Sequence, residues 1–236
     1  MQTFYSKFDE TQLPAYKKGE FFTHLPAAAQ ADLDSMLFFS SYPANTVLFS
    51  ETQPSVGIIV ILEGEVRLSM NSCDGHRLSL RINRAGEVLG LPSTLSGTPH
   101  EATAETVYPV KIAHVGREAF LQFLVRHPDA YQAVAREMTR RYTSACDQLR
   151  TVGLASGAPA KLARLLLEWS DTGDRSETGS RCRLAFTHEQ IGEFIGAARE
   201  TVTRALNTFK DRRLVNIDGS MLTIPSRHAL ESYAQN

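Results

Sequence analysis

The run Phe186-Thr-His-Glu-Gln-Ile-Gly-Glu-Phe-Ile-Gly-Ala-Ala-Arg-Glu-Thr-Val-Thr-Arg-Ala-Leu206 decides how this chain is read. Thr187 and Gln190 have the Thr-x-x-Gln spacing of a capping box, which predicts a helix starting near His188. Ile191, Phe194 and Ile195 give that helix an apolar face. Gly196 ends it, because glycine takes the left-handed conformation of a tight helical turn without steric cost. A second helix starts near Arg199. Val202, Leu206 and Phe209 recur on one side of it, and Glu200, Thr203, Arg204 and Asn207 occupy the other, with Arg199 at the rim. Two short helices about a glycine turn, the second with a charged face, predict a helix-turn-helix that sets its second helix in the major groove of DNA. A solvated charged face in a small helical domain is the plainer alternative.

The next segment favours the first reading. Leu214 to Ile217 is a short apolar run, Asp218-Gly219 is a hairpin turn signal, and Met221 to Ile224 returns. A helix-turn-helix followed by a β-hairpin is a winged helix. Lys210, Arg212 and Arg213 sit between the two, where phosphates would pass. Over 198–213 five basic residues face two acidic ones, a local net of +3 in a chain whose formal charge is −1. A basic patch on a near-neutral protein suits a surface that holds DNA in one orientation.

At 236 residues, with 42% hydrophobic and 22% charged residues, two globular domains are expected. No stretch reaches the ~18 apolar residues of a membrane span. The opening residues show neither an apolar core nor a cleavage pattern, and the three cysteines, Cys73, Cys146 and Cys182, are scattered and odd in number. Both features predict a cytoplasmic protein with reduced thiols and no disulfide framework. Enzyme chemistry is not expected. The chain has no Gly-Lys-Ser/Thr phosphate loop, no His-Glu-x-x-His and no Gly-x-Ser-x-Gly. His188-Glu189 is better explained as the first turn of a helix, where an acid favours the dipole.

The segment from about 46 to 116 is strand-rich. Thr46–Phe49, Gly57–Leu62, Glu65–Met70, Arg77–Ile82 and Val110–Val115 are short and β-branched or alternating, punctuated by Glu63-Gly64, Asp74-Gly75 and Ala85-Gly86. This implies a sandwich or barrel. A long helix is predicted from about His127-Pro128 to Leu154. Met138, Tyr142, Ala145, Leu149 and Val152 fall on a heptad seam, which fits a helix pair within or between chains. Gly153 to Pro159 reads as a hinge, Lys161 to Trp169 as a further helix, and Asp171 to Ser180 as a polar loop.

Arg199-Glu-Thr-Val-Thr-Arg204 resembles the recognition helix of the Crp–Fnr transcription regulators, in particular the Arg-Glu-Thr-Val-x-Arg pattern of the cyclic-AMP receptor subgroup. Ile61-Leu-Glu-Gly-Glu-Val66, Asp74-Gly-His-Arg77 and Gly86-Glu-Val-Leu-Gly-Leu91 resemble the sensor domain that precedes the winged helix in that family. The resemblance implies an α+β chain: a jelly-roll β-roll of the cyclic-nucleotide-binding type over 1–126, a long dimerisation helix over 127–154, and a winged helix-turn-helix over 155–236. It implies double-stranded DNA as partner, a homodimer on a palindromic TGTGA-like site, and contact with RNA polymerase. Arg199, Glu200, Thr203, Arg204 and Thr187 would meet the duplex, with arginine forks reading guanine and Glu200 accepting from cytosine N4. Arg212 and Arg213 would meet phosphate.

The ligand motif of the family departs from its pattern. In the expected effector pocket of Glu87, Leu91, His100, Glu101, Ala145 and Cys146, Leu91 stands in place of the ribose-binding glutamate. His100 and Glu101 replace the Arg-Ser phosphate clamp, and Glu101 would repel a phosphate. Ala145 and Cys146 replace the adenine-contacting Thr-Ser pair. Cyclic AMP is therefore not expected as effector, and the small-molecule effector is unknown. No cysteine cluster for iron–sulfur sensing precedes Cys73, and Gly90-Leu91-Pro92 offers no haem ligand. Cys73-Asp-Gly-His76 reads as a solvated hairpin turn, so no metal and no cofactor is expected. The reading of a different class is a small-molecule- or redox-responsive effector-binding protein whose winged helix serves protein interaction.

Overall fold

The computed structural model describes residues 17, 19–154, 157–171, 174–176, 179–184 and 186–235. These divide into two compact units. One comprises residues up to Met70 together with Leu80–Ser144, and the other Asn71–Ser79 together with Ala145 onward.

The elements of the N-terminal half begin with α1 (Glu20–Thr23) and α2 (Ala27–Ser35). Six strands follow: β1 (Phe38–Tyr42), β2 (Val47–Phe49), β3 (Gly57–Glu63), β4 (Glu65–Asn71), β5 (Arg77–Arg84) and β6 (Val88–Leu89). Then come α3 (Leu91–Ser96), β7 (Thr103–Thr106), β8 (Val110–Gly116), α4 (Arg117–Arg126) and α5 (Ala130–Leu149). The strands form two four-stranded sheets, ordered β1-β8-β3-β6 and β2-β7-β4-β5. β3 runs antiparallel to β8 and β6, and β7 antiparallel to β2 and β4. This is the β-roll expected from the sequence. β3 is buried at all but two positions, because Ile58 and Val60 pack towards Phe120, Phe123 and Leu124 of α4 while Ile61 joins Phe49, Val66, Leu89, Ala104 and Ile112 in a second cluster. A strand covered on both faces reads as a continuous apolar run instead of an alternation. The turns at Gly64, Gly75 and Gly86 all carry positive φ, as their Glu-Gly, Asp-Gly and Ala-Gly pairs suggest.

Three strands, β1, β6 and β7, carry no legible signal. β6 has two residues, and Thr103-Ala-Glu-Thr106 of β7 gains its place from pairing with Val66–Ser69 of β4. The long helix begins slightly later than the sequence suggests. Tyr131 N–H bonds to the Pro128 carbonyl at 3.1 Å, regular α-helix runs from Ala130, and the last turn, Arg150–Leu154, is π-helical.

The C-terminal half contains α6 (Ala158–Asp171), β9 (Asp174–Ser176), β10 (Gly179–Arg183), α7 (His188–Ile195), α8 (Arg199–Asp211), β11 (Asn216–Asp218), β12 (Met221–Ile224) and α9 (Arg227–Gln235). Two expectations need correction here. The stretch read as a polar loop, 171–180, holds β9 and the start of β10, which extend the β11–β12 hairpin into a sheet ordered β11-β12-β10-β9. Its polar composition hid the strand, whose place is set by backbone pairing with β10. The stretch read as a hinge is already helical at both ends: Gly153 lies in the π-turn, and Ala158-Pro159 open α6, where a proline without an N–H is tolerated.

The core of the winged helix is built from α6, α7 and α8. Leu162, Leu166, Ile191, Ile195, Val202, Leu206 and Phe209 are all solvent-excluded. Trp169, Phe186 and Phe194 form an aromatic cluster with ring centroids 5.1–5.4 Å apart. α9 closes the unit through Leu230, through Arg164 Nε donating to the Ala234 carbonyl at 3.0 Å, and through an Arg227–Asp171 fork.

Candidate nucleic-acid interface

The helix-turn-helix is set by three local devices. Thr187 Oγ1 accepts from the Gln190 N–H at 3.2 Å, and Gln190 Oε1 accepts from the Thr187 N–H at 2.9 Å, so the capping box is complete in both directions. Gly196 terminates α7 with φ +62°. Gly192 lets the turn close, since a Cβ there would stand 2.3 Å from the Ala197 carbonyl oxygen. The start of α8 lacks the side-chain cap that the other helix has: Ala198 occupies the cap position and makes no side-chain bond.

Val202, Ala205, Leu206 and Phe209 bury one face of α8. The opposite face is open. Arg199, Glu200, Arg204 and Asn207 are exposed, and so are Arg212 and Arg213 beyond the helix. Arg204 Nη2 donates to Thr201 Oγ1 at 3.3 Å, and Arg212 lies over the Tyr233 ring with its guanidinium carbon 5.4 Å from the centroid. Arg199, Arg204, Arg212 and Arg213 make no ion pair among the described residues. Arg213 holds a left-handed φ of +58°, its N–H bonded to the Lys210 carbonyl at 2.9 Å, which turns the chain out of α8 towards β11.

Thr203 is half-buried. Its hydroxyl donates to the Arg199 carbonyl at 3.0 Å, so it accepts at 2.8 Å from Nδ1 of His188. This pins the start of α7 to α8. Sequence reading assigned His188 only to a helix start; its partner is on another helix and has no local signature. Thr187 is exposed beside this contact. The site set expected for DNA therefore lies on the two helices of one motif and the exit from α8.

Four residues of the expected effector pocket, Glu87, Leu91, His100 and Glu101, belong to the first unit and have different surroundings there. Leu91 is solvent-excluded within the core beside Phe120 and Phe123. His100 is 4% exposed, stacked on Phe49 at 3.9 Å between centroids, with Nδ1 2.9 Å from Ser93 Oγ. Burial holds its pKa below the ordinary imidazole value, against the opposing pull of Glu101. Glu101 itself points to solvent. Glu87 pairs with Arg140 at 2.7 Å, and Ala145 and Cys146 belong to the other unit. His100 lines a cavity of about 180 Å³, with Tyr42, Leu48, Phe49, Ile112 and His114. Cys73 is exposed, Cys146 half-buried and Cys182 buried, all as free thiols. No cluster of three metal-ligating side chains occurs among the described residues, and no described helix is long and apolar enough to cross a membrane.

The comparisons with known proteins agree with this architecture. Residues 39–127 match the cyclic nucleotide-binding domain and residues 160–233 the Crp-like helix-turn-helix domain. The chain is 25% identical over 215 residues to the CRP-like cAMP-activated global transcriptional regulator of Mycobacterium tuberculosis, covering 91% of this chain and 96% of that one. It is 25% identical over 207 residues to the global nitrogen regulator of Synechocystis sp., covering 87% of each. Among solved structures, FixK2 from Bradyrhizobium japonicum superposes with a TM-score of 0.75 at 21% identity, over 84% of this chain and 96% of that one. With both domains matched in order and an exposed recognition helix on a capped helix-turn-helix, the chain belongs to the Crp–Fnr family of DNA-binding transcription regulators.

Proposed function

We propose that this chain binds DNA sequence-specifically as a homodimer, on a palindromic TGTGA-like site, and does so without cyclic AMP. The observation that carries the reading is the open face of α8, where Arg199, Glu200 and Arg204 stand in solvent with no ion pair among the described residues. Two arginine forks and one carboxylate are the groups that read guanine O6/N7 and cytosine N4. Arg212 and Arg213 supply phosphate contacts that position the helix. The domains act as sensor-type β-roll (1–126), dimerisation helix (127–154) and DNA-binding winged helix (155–236). The protein works in the cytoplasm, by binding rather than by catalysis, and its regulatory partner is RNA polymerase.

Independence from cyclic AMP is supported by the fate of the clamp positions. Leu91 offers no polar atom, the His100 ring is engaged by Phe49 and Ser93, and Glu101 is an anion where a phosphate would need a cation. The Mycobacterium relative is described as cAMP-activated, and that property does not carry over to these residues.

A gel shift with purified protein on a palindromic TGTGA duplex tests the reading. Salt-sensitive binding by the nucleotide-free protein is expected. Binding seen only after cyclic AMP is added refutes the ligand reading. Binding that ignores sequence and salt, or none in either redox state, favours a winged helix that contacts protein.

A further inference from the structure

The cavity of about 180 Å³ lies between the two sheets of the β-roll. β1, β3 and β8 supply Tyr42, Ile59, Ile112 and His114 from one sheet, and β2 supplies Leu48 and Phe49 from the other. β2 is three residues long and its pairing with β7 shifts register between Val47 and Phe49, so the second sheet is irregular at this wall. The described lining falls within residues 42–59 and 100–115, all of one unit and none of it from α5.

The walls are flat and uncharged. Phe49 and His100 stack with 3.9 Å between centroids and 16° between planes, and His114 stacks on Phe38 at 5.4 Å and 28°. No Asp, Glu, Lys or Arg lines the cavity. Burial holds the His100 pKa below the ordinary imidazole value, so this ring is neutral at pH 7. A charged ligand would give up its hydration here without a fixed counter-charge. Val56 lines the mouth and is 78% exposed, which gives the opening an apolar edge.

His100 is the polar group that is both fixed and unspent. Its N–H donates to the Gln53 carbonyl at 2.9 Å and its carbonyl accepts from the Thr52 N–H at 2.8 Å. Nδ1 is engaged by Ser93 Oγ at 2.9 Å. The side chain is buried, yet Nε2 has no hydrogen-bond partner among the described residues. A buried polar atom left without a partner is costly, and native chains supply one by protein, water or ligand.

We propose that this cavity is a binding site for a small, uncharged, planar aromatic molecule with one hydroxyl or N–H group, which pairs with Nε2 of His100. The ligand ring lies among Leu48, Phe49 and Ile112, where aromatic and branched side chains offer dispersion and offset stacking. Size sets the class. An apolar cavity of about 150 Å³ takes a benzene ring. A cavity of about 180 Å³ therefore takes one ring with a polar substituent, and a bicycle such as indole extends into the mouth.

Thermal unfolding of the full chain tests it, with phenol, indole, benzene and cyclohexanol as probes. At ten times its Kd, a bound probe raises Tm by about 3–6 °C. Phenol and indole are expected to give a saturable rise. Benzene, without the polar group, and cyclohexanol, without the flat ring, are expected to give less. His100→Phe can retain the stack on Phe49 and is expected to remove the advantage of phenol over benzene. Leu48→Phe fills the cavity, and Val56→Trp covers its mouth from an exposed position where folding is little affected. Both are expected to abolish the rise, and circular dichroism verifies that they fold; if Leu48→Phe does not, Val56→Trp decides. The proposal is overturned by no saturable rise with phenol or indole, by a rise that persists in the folded blocked variants, by equal rises with cyclohexanol, or by a phenol preference kept in His100→Phe. The assay contains no DNA, so its outcome is independent of the gel shift.

Discussion

Arg199 and Arg204 are exposed and pair with no carboxylate among the described residues, which suits the base-reading role proposed for them. Arg204→Ala is expected to cost about 1–3 kcal/mol on a matched duplex and to relax preference at one base pair, read by competition with duplexes altered at single positions. An equal loss on every duplex would make Arg204 a phosphate contact instead. Thr203 is a different case: its hydroxyl hydrogen goes to the Arg199 carbonyl and its acceptor role to His188, so it shapes α8 more than it reads bases. His100 is the residue whose charge the fold opposes. Burial lowers its pKa in the folded state, so the unfolded chain binds the proton more readily. Its contribution to stability is complete above the unfolded value of about 6.5 and is lost as pH falls from there towards the folded value. His100→Phe, which can retain the stack on Phe49, is expected to flatten that part of the Tm-against-pH curve. An unchanged slope between pH 7 and 5 would show that other groups govern it.

At the scale of elements, the helix-turn-helix depends on how closely α7 approaches the turn that follows it. Alanine usually stabilises a helix by about 1 kcal/mol relative to glycine. At Gly192 the sign should reverse, because the added Cβ would lie 2.3 Å from a backbone oxygen that has no freedom to retreat. Gly192→Ala is expected to destabilise by about 1–3 kcal/mol in urea unfolding. A gain in stability would mean that the turn is slacker than this geometry. The capping box, the glycine turn and the α8 periodicity were legible because each is local, involving residues within four positions of one another. So were the strands with β-branched runs and the three glycine turns of the β-roll. β7, β9 and the His188–Thr203 contact were not legible, since each depends on a partner distant in sequence. Nor was the shielding of Arg81 Nη2 legible: Arg77 and Arg81 both look solvated in Arg77-Leu-Ser-Leu-Arg-Ile-Asn83 until the strand parity sets Arg81 between the buried Ser79 and Asn83. The expected pocket residues were chosen by correspondence to a nucleotide clamp, and Leu91 and His100 have instead been absorbed into packing.

For the whole molecule, the question is what covers α5. Tyr142 is 73% exposed and Leu149 70% exposed, both on the heptad seam that also carries Ala145 and the half-buried Met138. Large apolar side chains repeated every three or four residues and left in solvent mark a surface that a second helix would bury. The proposed partner is a second copy of α5, whose periodicity matches. In that dimer, once one recognition helix held its half-site, the other would bind at a raised effective concentration. Leu149→Asp places a charge in that seam, yet in the isolated chain the residue is exposed, so folding of the monomer is expected to change by under about 0.5 kcal/mol. The dimer is expected to weaken by several kcal/mol, since an unpaired charge would be buried in the contact. Sedimentation at micromolar concentration should therefore show a dimer for the wild type and a monomer for Leu149→Asp, with matching circular dichroism. Affinity for a full palindrome should fall to that for a single half-site, while half-site affinity itself stays unchanged. A wild-type monomer, or a variant that keeps full palindrome affinity, would show that α5 is not what joins two DNA-reading units.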